Sequence, residues 1–228
     1  MANLEFPDVL LRLTTLSWQI VNTSRNGGVG ITGGKQVIRE PAGTWAARWT
    51  LNISAMSWNG SDQLLVYQGF MAELGGSAGI VDLPYFDARG PAQLMGLDGT
   101  VSYSDGTLHS DDTGYQQGST PVVLAADAEM NATLVTLAYP VGFRPQMGQC
   151  FTMPDGWMHR IGRVVAQSGL GWTVTISPWL QADYAVGAAI EVDRPTCPMR
   201  LVDDTSGRLE IQATQVFSNP VLEFEEAR

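Results

Sequence analysis

Thr44-Trp45-Ala46-Ala47-Arg48-Trp49-Thr50-Leu51-Asn52-Ile53-Ser54-Ala55 decides the fold class. Trp45, Ala47, Trp49, Leu51, Ile53 and Ala55 fall on one side of an extended chain, and Thr44, Arg48, Thr50, Asn52 and Ser54 on the other. Successive strand side chains point to opposite faces, so this alternation predicts a long strand with one face in a core and the other toward solvent. The same pattern predicts a strand over Gly207–Phe217, where Leu209, Ile211, Ala213 and Phe217 interleave with Glu210, Gln212 and Thr214. The Val-, Leu- and Thr-rich run Asp8–Ser17 predicts a third.

One segment switches period. Asn59-Gly60-Ser61-Asp62 offers capping side chains, Leu64, Tyr67, Met71 and Leu74 recur at helical spacing, and Gly75-Gly76 closes the run. The tract Asp87–Pro121, rich in Gly, Asp and Ser, is too irregular for more than a short hairpin and reads as a long excursion or a domain junction. Beyond it, Ala132–Ala138, Gln149–Met153, Trp157–Ala166, Trp172–Ser177 and Ala188–Val192 read as short strands. Turn signals at Pro154-Asp155-Gly156, Gly169-Leu170-Gly171 and Ala185-Val186-Gly187 separate them, the spacing of a small OB-like barrel or of a sandwich. The segment Met199–Glu225 supplies strands that rejoin the first domain. The expected organisation is mainly β, with a first domain over 1–120 completed by 199–228 and a small β-barrel over 121–198.

Composition narrows the function classes. With 44% hydrophobic and 16% charged residues in 228, and a mean hydropathy of -0.01, the chain is globular with a weakly charged surface. No apolar run approaches the roughly 20 residues of a membrane span, so membrane insertion is not expected. Thirteen basic against 23 acidic residues leave a net charge of -10, the wrong sign for releasing counterions from a phosphate backbone. Only Lys35 among the basic residues is a lysine, and the arginines form no stripe. The opening Met1-Ala2-Asn3-Leu4-Glu5-Phe6-Pro7-Asp8 has an acid in place of a basic n-region and predicts synthesis in the cytoplasm. Cys150 and Cys197 are then expected as buried free thiols.

Motifs for chemistry fail on context. Gly28-Val29-Gly30-Ile31-Thr32-Gly33 has the letters of a dinucleotide fingerprint, but Lys35–Arg39 behind it reads as a strand where a helix is required, which makes the glycines a hairpin loop. His109-Ser110-Asp111-Asp112 gathers triad residue types on adjacent positions, which an extended chain points to opposite faces. His159 reads as a partly exposed strand residue. Adjacent acids such as Asp111/Asp112 and Glu225/Glu226 do not face each other across a cleft as glycosidase carboxylates must. No metal-ligand spacing is present. No enzyme activity, cofactor or metal is expected.

Seven tryptophans are the richest feature. Trp45 and Trp49 sit on the apolar side of the deciding strand and read as core. Trp157 and Trp179 stand beside turns, where an aromatic face can serve as a platform for a sugar or a protein.

A wider pattern carries a resemblance. Gln36, then Pro41-Ala42-Gly43-Thr44-Trp45, the long alternating strand, the helix end Phe70-Met71-Ala72-Glu73-Leu74-Gly75-Gly76 and the turn into Gly79-Ile80-Val81-Asp82-Leu83 resemble phage tail-tip proteins. The nearest likeness is to the distal tail proteins of long-tailed siphophages and gene-transfer-agent-like particles. Phe143-Arg144-Pro145-Gln146-Met147-Gly148-Gln149, Ile176-Ser177-Pro178-Trp179-Leu180 and Ala185-Val186-Gly187-Ala188-Ala189-Ile190 are similar to the same family's second-domain pattern, with Gln149 where Asp is commoner.

The resemblance implies a β-sandwich or split-barrel first domain that forms a homohexameric ring at the distal end of the tail tube. It implies a barrel-like second domain facing fibre or baseplate proteins, and a place in the virion tail tip. Its partners would be the tail tube protein, the baseplate hub and tail fibres, with DNA passing through the ring without specific binding. An acidic subunit would give that ring a lumen that repels phosphate. Candidate partner contacts are Tyr103, His109, Tyr115, Trp157 and Trp179. The alternative function is a carbohydrate-binding module for host-surface polysaccharide, using Trp157 or Trp179.

Overall fold

The computed structural model describes residues 3–7, 10, 15–22, 24–29, 35–39, 47–54, 61–85, 99–101, 115–117, 122–140, 144–209 and 220–227. The deciding strand is β5, Ala47–Ser54; Ala47, Trp49, Leu51 and Ile53 are buried, and the residues between them are not. Trp45, expected on the same face, lies outside the described residues. The chain divides into two compact units, 1–84 with 196–228, and 85–195. The tract 87–121, placed by sequence with the first domain, is numbered within the second unit, and most of it lies outside the described residues.

The first unit is built on a six-stranded sheet. Its strands are β1 (Leu4–Glu5), β6 (Val81–Pro84), β15 (Thr196–Leu201), β16 (Leu222–Glu226), β5 and β2 (Thr15–Asn22), in that order across the sheet. Only the β1–β6 pair is parallel. One face carries the core, through Trp49 and Leu51 of β5, Leu222 and Phe224 of β16, and Cys197 and Met199 of β15. A separate antiparallel ribbon pairs β3 (Ser24–Val29) with β4 (Lys35–Arg39), with a register shift between Asn26 and Gly28. The glycine-rich loop therefore sits between two strands, as expected, and no helix follows it to face a pyrophosphate.

The helix α1, Ser61–Leu74, lies where the capping and glycine signals put it. It buries Leu64, Tyr67, Phe70 and Leu74, a stripe at the three- and four-residue spacing of one helical face. Phe6 packs edge-on against Phe70 with ring centroids 4.9 Å apart, and the Tyr67 hydroxyl donates to the Gly207 carbonyl. Gly75 ends the helix in the left-handed conformation, φ 67°, which residues with a Cβ adopt only at a cost.

Two strand expectations shift. Within Asp8–Ser17 the described residues are Leu10, which is helical with its N–H donating to the Pro7 carbonyl at 2.9 Å, and 15–17, which open β2. Hydrophobic content alone does not reveal that Leu10 departs from the strand pattern. Of Gly207–Phe217, residues 207–209 are turn or irregular chain and the rest lie outside the described residues. Strand β5 pairs on one side with β2 and on the other with β16, which lies within the C-terminal segment expected to rejoin this domain.

The second unit holds a small barrel. Its strands are β9 (Val122–Leu124), β10 (Leu134–Ala138), β11 (Cys150–Thr152), β12 (Met158–Ser168), β13 (Gly171–Ser177) and β14 (Ala189–Ile190). They run β11-β12-β13-β10-β9-β14 around the sheet. The Thr152 N–H donates to the Glu191 carbonyl at 2.8 Å and the Glu191 N–H to the Thr152 carbonyl at 3.0 Å, which brings the two edges together. Five of these strands are those expected from sequence, and β9 is a sixth, one more than the five of an OB barrel. The interior is filled by Leu124, Val135, Leu137, Phe151, Val174 and Leu180 among others. The tract before it contributes β7 (Gly99–Val101) paired antiparallel with β8 (Tyr115–Gln117), the short hairpin the tract was expected to allow.

Candidate partner-contact site

The five candidate residues fare differently. Tyr103 and His109 lie outside the described residues. Tyr115 opens β8, with its backbone in register with Val101. Trp179 is a correction: it is 5% exposed, so its ring is buried and presents no platform. The preceding Pro178, joined through a cis peptide bond, signals a turn in sequence, but a turn does not fix which way the next side chain points. Trp157 alone of the two keeps a half-exposed side chain.

Trp157 belongs to a braced corner of the barrel. The Gly156 N–H donates to the Met153 carbonyl at 2.8 Å and the Met153 N–H to the Trp157 carbonyl at 2.9 Å, which closes the predicted Pro154-Asp155-Gly156 turn. Asp155 accepts the Tyr184 hydroxyl at 2.5 Å. Burial, then the Asp155 carboxylate beside it, hold the Tyr184 phenol well above its ordinary pKa.

Tyr184 in turn exchanges backbone hydrogen bonds with Ala128, at 2.9 and 2.8 Å. Asp127 accepts the Val186 N–H and Asp183 accepts the Met130 N–H, each at 2.7 Å. The turns around residues 127–131 and 183–187 are thus locked together while Met130 and Val186 stay 54% and 60% exposed. An aromatic and apolar surface on loops held this firmly loses little conformational entropy when a partner covers it. Sequence reasoning singled out Trp157 and the turn but missed Tyr184, which stands in no motif.

The acids here and elsewhere are engaged as turn caps and strand partners. Glu191 accepts the N–H groups of Asp193 and Arg194 at 2.7 and 2.8 Å, and Asp203 those of Thr205 and Ser206 at 2.6 and 2.9 Å. Glu225 pairs with Arg48 at 2.7 Å and with Arg200 at 3.4 Å. The adjacent Glu226 is buried and accepts the Trp49 N–H at 3.0 Å. Asp111 and Asp112 lie outside the described residues. Among the described residues no cluster of three or more His, Cys, Asp or Glu side chains is arranged to hold a metal. Cys150 and Cys197 are both buried thiols that form no disulfide, as expected.

His159 overturns its expected exposure. It is 1% exposed, its Nδ1 lies 2.9 Å from the Pro178 carbonyl, and its ring sits 5.6 Å from that of its cross-strand neighbour Phe151. A carbonyl placed for one ring nitrogen lets an imidazole sit in a core, where an unpartnered one would be costly.

No family model matches this chain, and no curated protein matches it. The functional reading therefore rests on the residues and their arrangement.

Proposed function

We propose that this chain is a structural subunit of a phage tail tip, of the distal tail protein kind, which closes into a sixfold ring at the end of the tail tube. The barrel unit would face the hub and fibre or baseplate proteins. The observation that carries this reading is how the barrel is inserted. The chain leaves the first unit after Pro84 and re-enters at Thr196, and those two residues are cross-strand partners on β6 and β15. A closed module held between paired strands of a sheet divides one chain into a part that can build a ring and a part that can be displayed. This matches the two-part subunit that the sequence resemblance implies.

The charge and the surface agree with it. A subunit of net charge -10 suits a ring whose lumen repels passing DNA, and the exposed Met130 and Val186 suit contact with a protein. The glycan-binding alternative keeps only Trp157, since the buried Trp179 has no face for a sugar. Light scattering over a concentration range, with negative-stain imaging of the chain alone and mixed with tail tube protein, tests the proposal. Six-copy rings with a central hole are expected. A strict monomer in the presence of the tube, with tryptophan fluorescence that responds to bacterial polysaccharide, would replace it with the binding module.

A further inference from the structure

The barrel carries opposite characters at the two ends of β10 and β13. At one end, residues 162–170, which close β12 and turn into β13, are all exposed. Adjacent strand residues point to opposite faces, so both faces of this strand end stand in solvent. Val164, Val165 and Leu170 are 37%, 50% and 53% exposed there, and Arg163 is the exposed charge. Residues 156–182 hold no Asp or Glu, in a chain that has 23 of them.

The tip of this hairpin lies by the Ala138 end of β10, where Ala138 is in register with Gly171 and the Leu170 carbonyl accepts the Tyr139 N–H at 3.2 Å. The braced corner lies past the Leu134 end. There the Leu180 N–H donates to the Ala132 carbonyl at 3.0 Å and the Asn131 N–H to the Leu180 carbonyl at 2.8 Å. The corner is also apolar, through the exposed Met130 and Val186, but its charge is the reverse. Asp127, Glu129, Asp155 and Asp183 are all exposed around them, and residues 127–131, 155–157 and 183–187 contain no Lys or Arg.

We propose that the β12–β13 hairpin tip of one copy of this chain seats on the 127–131 and 183–187 corner of the next, a head-to-tail contact between barrels. Val165 and Leu170 cover the neighbour's Met130 and Val186, and Arg163 meets the acids around them. Charge selects both the occupant and its direction. Two chains of net charge -10 repel each other over most of their surface, and two corners set face to face would bring acid against acid. The hairpin is an exposed apolar surface of the same chain that carries a cation and no acid, so it meets the corner without that penalty. The corner is held in shape before the hairpin arrives, by the bonds of Asp127 to Val186 and of Asp183 to Met130. Two different surfaces make the contact heterologous, so it passes from copy to copy until a ring closes or a filament grows. It rests on the corner being a protein contact and not on the tail-tip reading, because the sheet unit can hold a ring by other surfaces.

Sedimentation velocity of the full chain over a concentration range tests it, with a hairpin variant, Leu170→Asp, and a corner variant, Met130→Asp. Both side chains are more than half exposed, so each variant should keep the wild-type circular dichroism and melting transition. Leu170→Ser and Met130→Ser, which add no charge, take their place if either unfolds. Each variant alone should associate at least roughly tenfold more weakly than the wild type. An equimolar mixture of the two should recover association, because the hairpin variant keeps an intact corner and the corner variant an intact hairpin. The contact is overturned if the variants associate like the wild type, if the mixture is no heavier than its components, or if the wild type remains a single chain at about 1 mM. A six-copy ring that persists unchanged in both variants overturns the barrel contact and leaves the tail-tip reading standing. Recovered association in the mixture, with no ring on the tail tube, supports the contact and removes that reading.

Discussion

The barrel and the sheet reach a closed core by opposite routes. Strands β11, β12 and β13 of the barrel are joined by tight turns and pair in sequence order. The sheet instead joins the two ends of the chain. Its strand β5 lies against β16, and the bond from Trp49 to Glu226 spans 177 positions. Bringing distant segments together costs loop-closure entropy before any contact is made. The barrel therefore holds most of its information locally, while the sheet depends on segments far apart in the sequence.

Removing residues 196–228 is the largest way to break that contrast. The first unit loses β15 and β16, which lie between β6 and β5, and its buried face is laid open. We expect loss of that unit's structure, with a protease-resistant fragment spanning the barrel strands that still melts cooperatively. A truncated chain with no resistant fragment would show that the barrel's local closure is insufficient. Next in size are core truncations. Phe224→Ala in the sheet and Phe151→Ala in the barrel each remove a ring that is at most 1% exposed, at a cost of about 3–5 kcal/mol. Each should lower the melting transition of its own unit only, followed by calorimetry; a single shared shift would mean that the two units unfold as one.

The same contrast explains what the sequence made legible. Strand β5 was readable because one face is buried and the other is not, so its residues alternate. Alternation fails where a strand is covered on both sides: Met158 and His159 are adjacent and both buried, although His159 reads from sequence as partly exposed. Strand β9 is three residues within the apolar run 121–126 and has no period to detect. In the candidate site, the Pro154-Asp155-Gly156 turn could be read from its residue types. Tyr184 could not, because its role comes from Asp155 and Ala128, which the fold brings to it from distant positions. Trp179 shows the reverse error, a residue whose turn was legible and whose side-chain direction was not.

Two glycines sharpen the comparison at a smaller scale. Gly207 and Gly187 have φ of 78° and 84°, where a Cβ costs about 1–2 kcal/mol. Around Gly187, in the barrel, an added Cβ meets nothing within 4 Å, so Gly187→Ala should cost only that backbone strain. An added Cβ on Gly207 falls 2.7 Å from the Tyr67 hydroxyl and still nearer a Leu222 methyl. Gly207→Ala should add overpacking of about 1–3 kcal/mol, visible as a lower urea midpoint for the sheet unit than Gly187→Ala gives the barrel. Equal losses would mean that α1 and the 203–207 turn move apart without resistance.

The smallest effect is on acid stability, and it too belongs to the sheet unit. The Thr205 hydroxyl, then the Thr205 and Ser206 N–H groups, hold the Asp203 carboxyl below its ordinary value of 3.8. The Ser77 N–H and hydroxyl, at 2.8 and 2.7 Å, do the same for Asp204. A carboxyl whose pKa is lowered by folding contributes stability above its unfolded value and loses it as pH falls through the folded one. Both side chains are exposed, so solvent screens the gain and the contribution is slight. Thermal melts between pH 5 and pH 2, a range on the order of the carboxylate values, should show the sheet transition weakening below about pH 4. Asp203→Ala with Asp204→Ala should be less stable at neutral pH and flatter across that range. A double variant with the wild-type pH slope would place the acid sensitivity elsewhere.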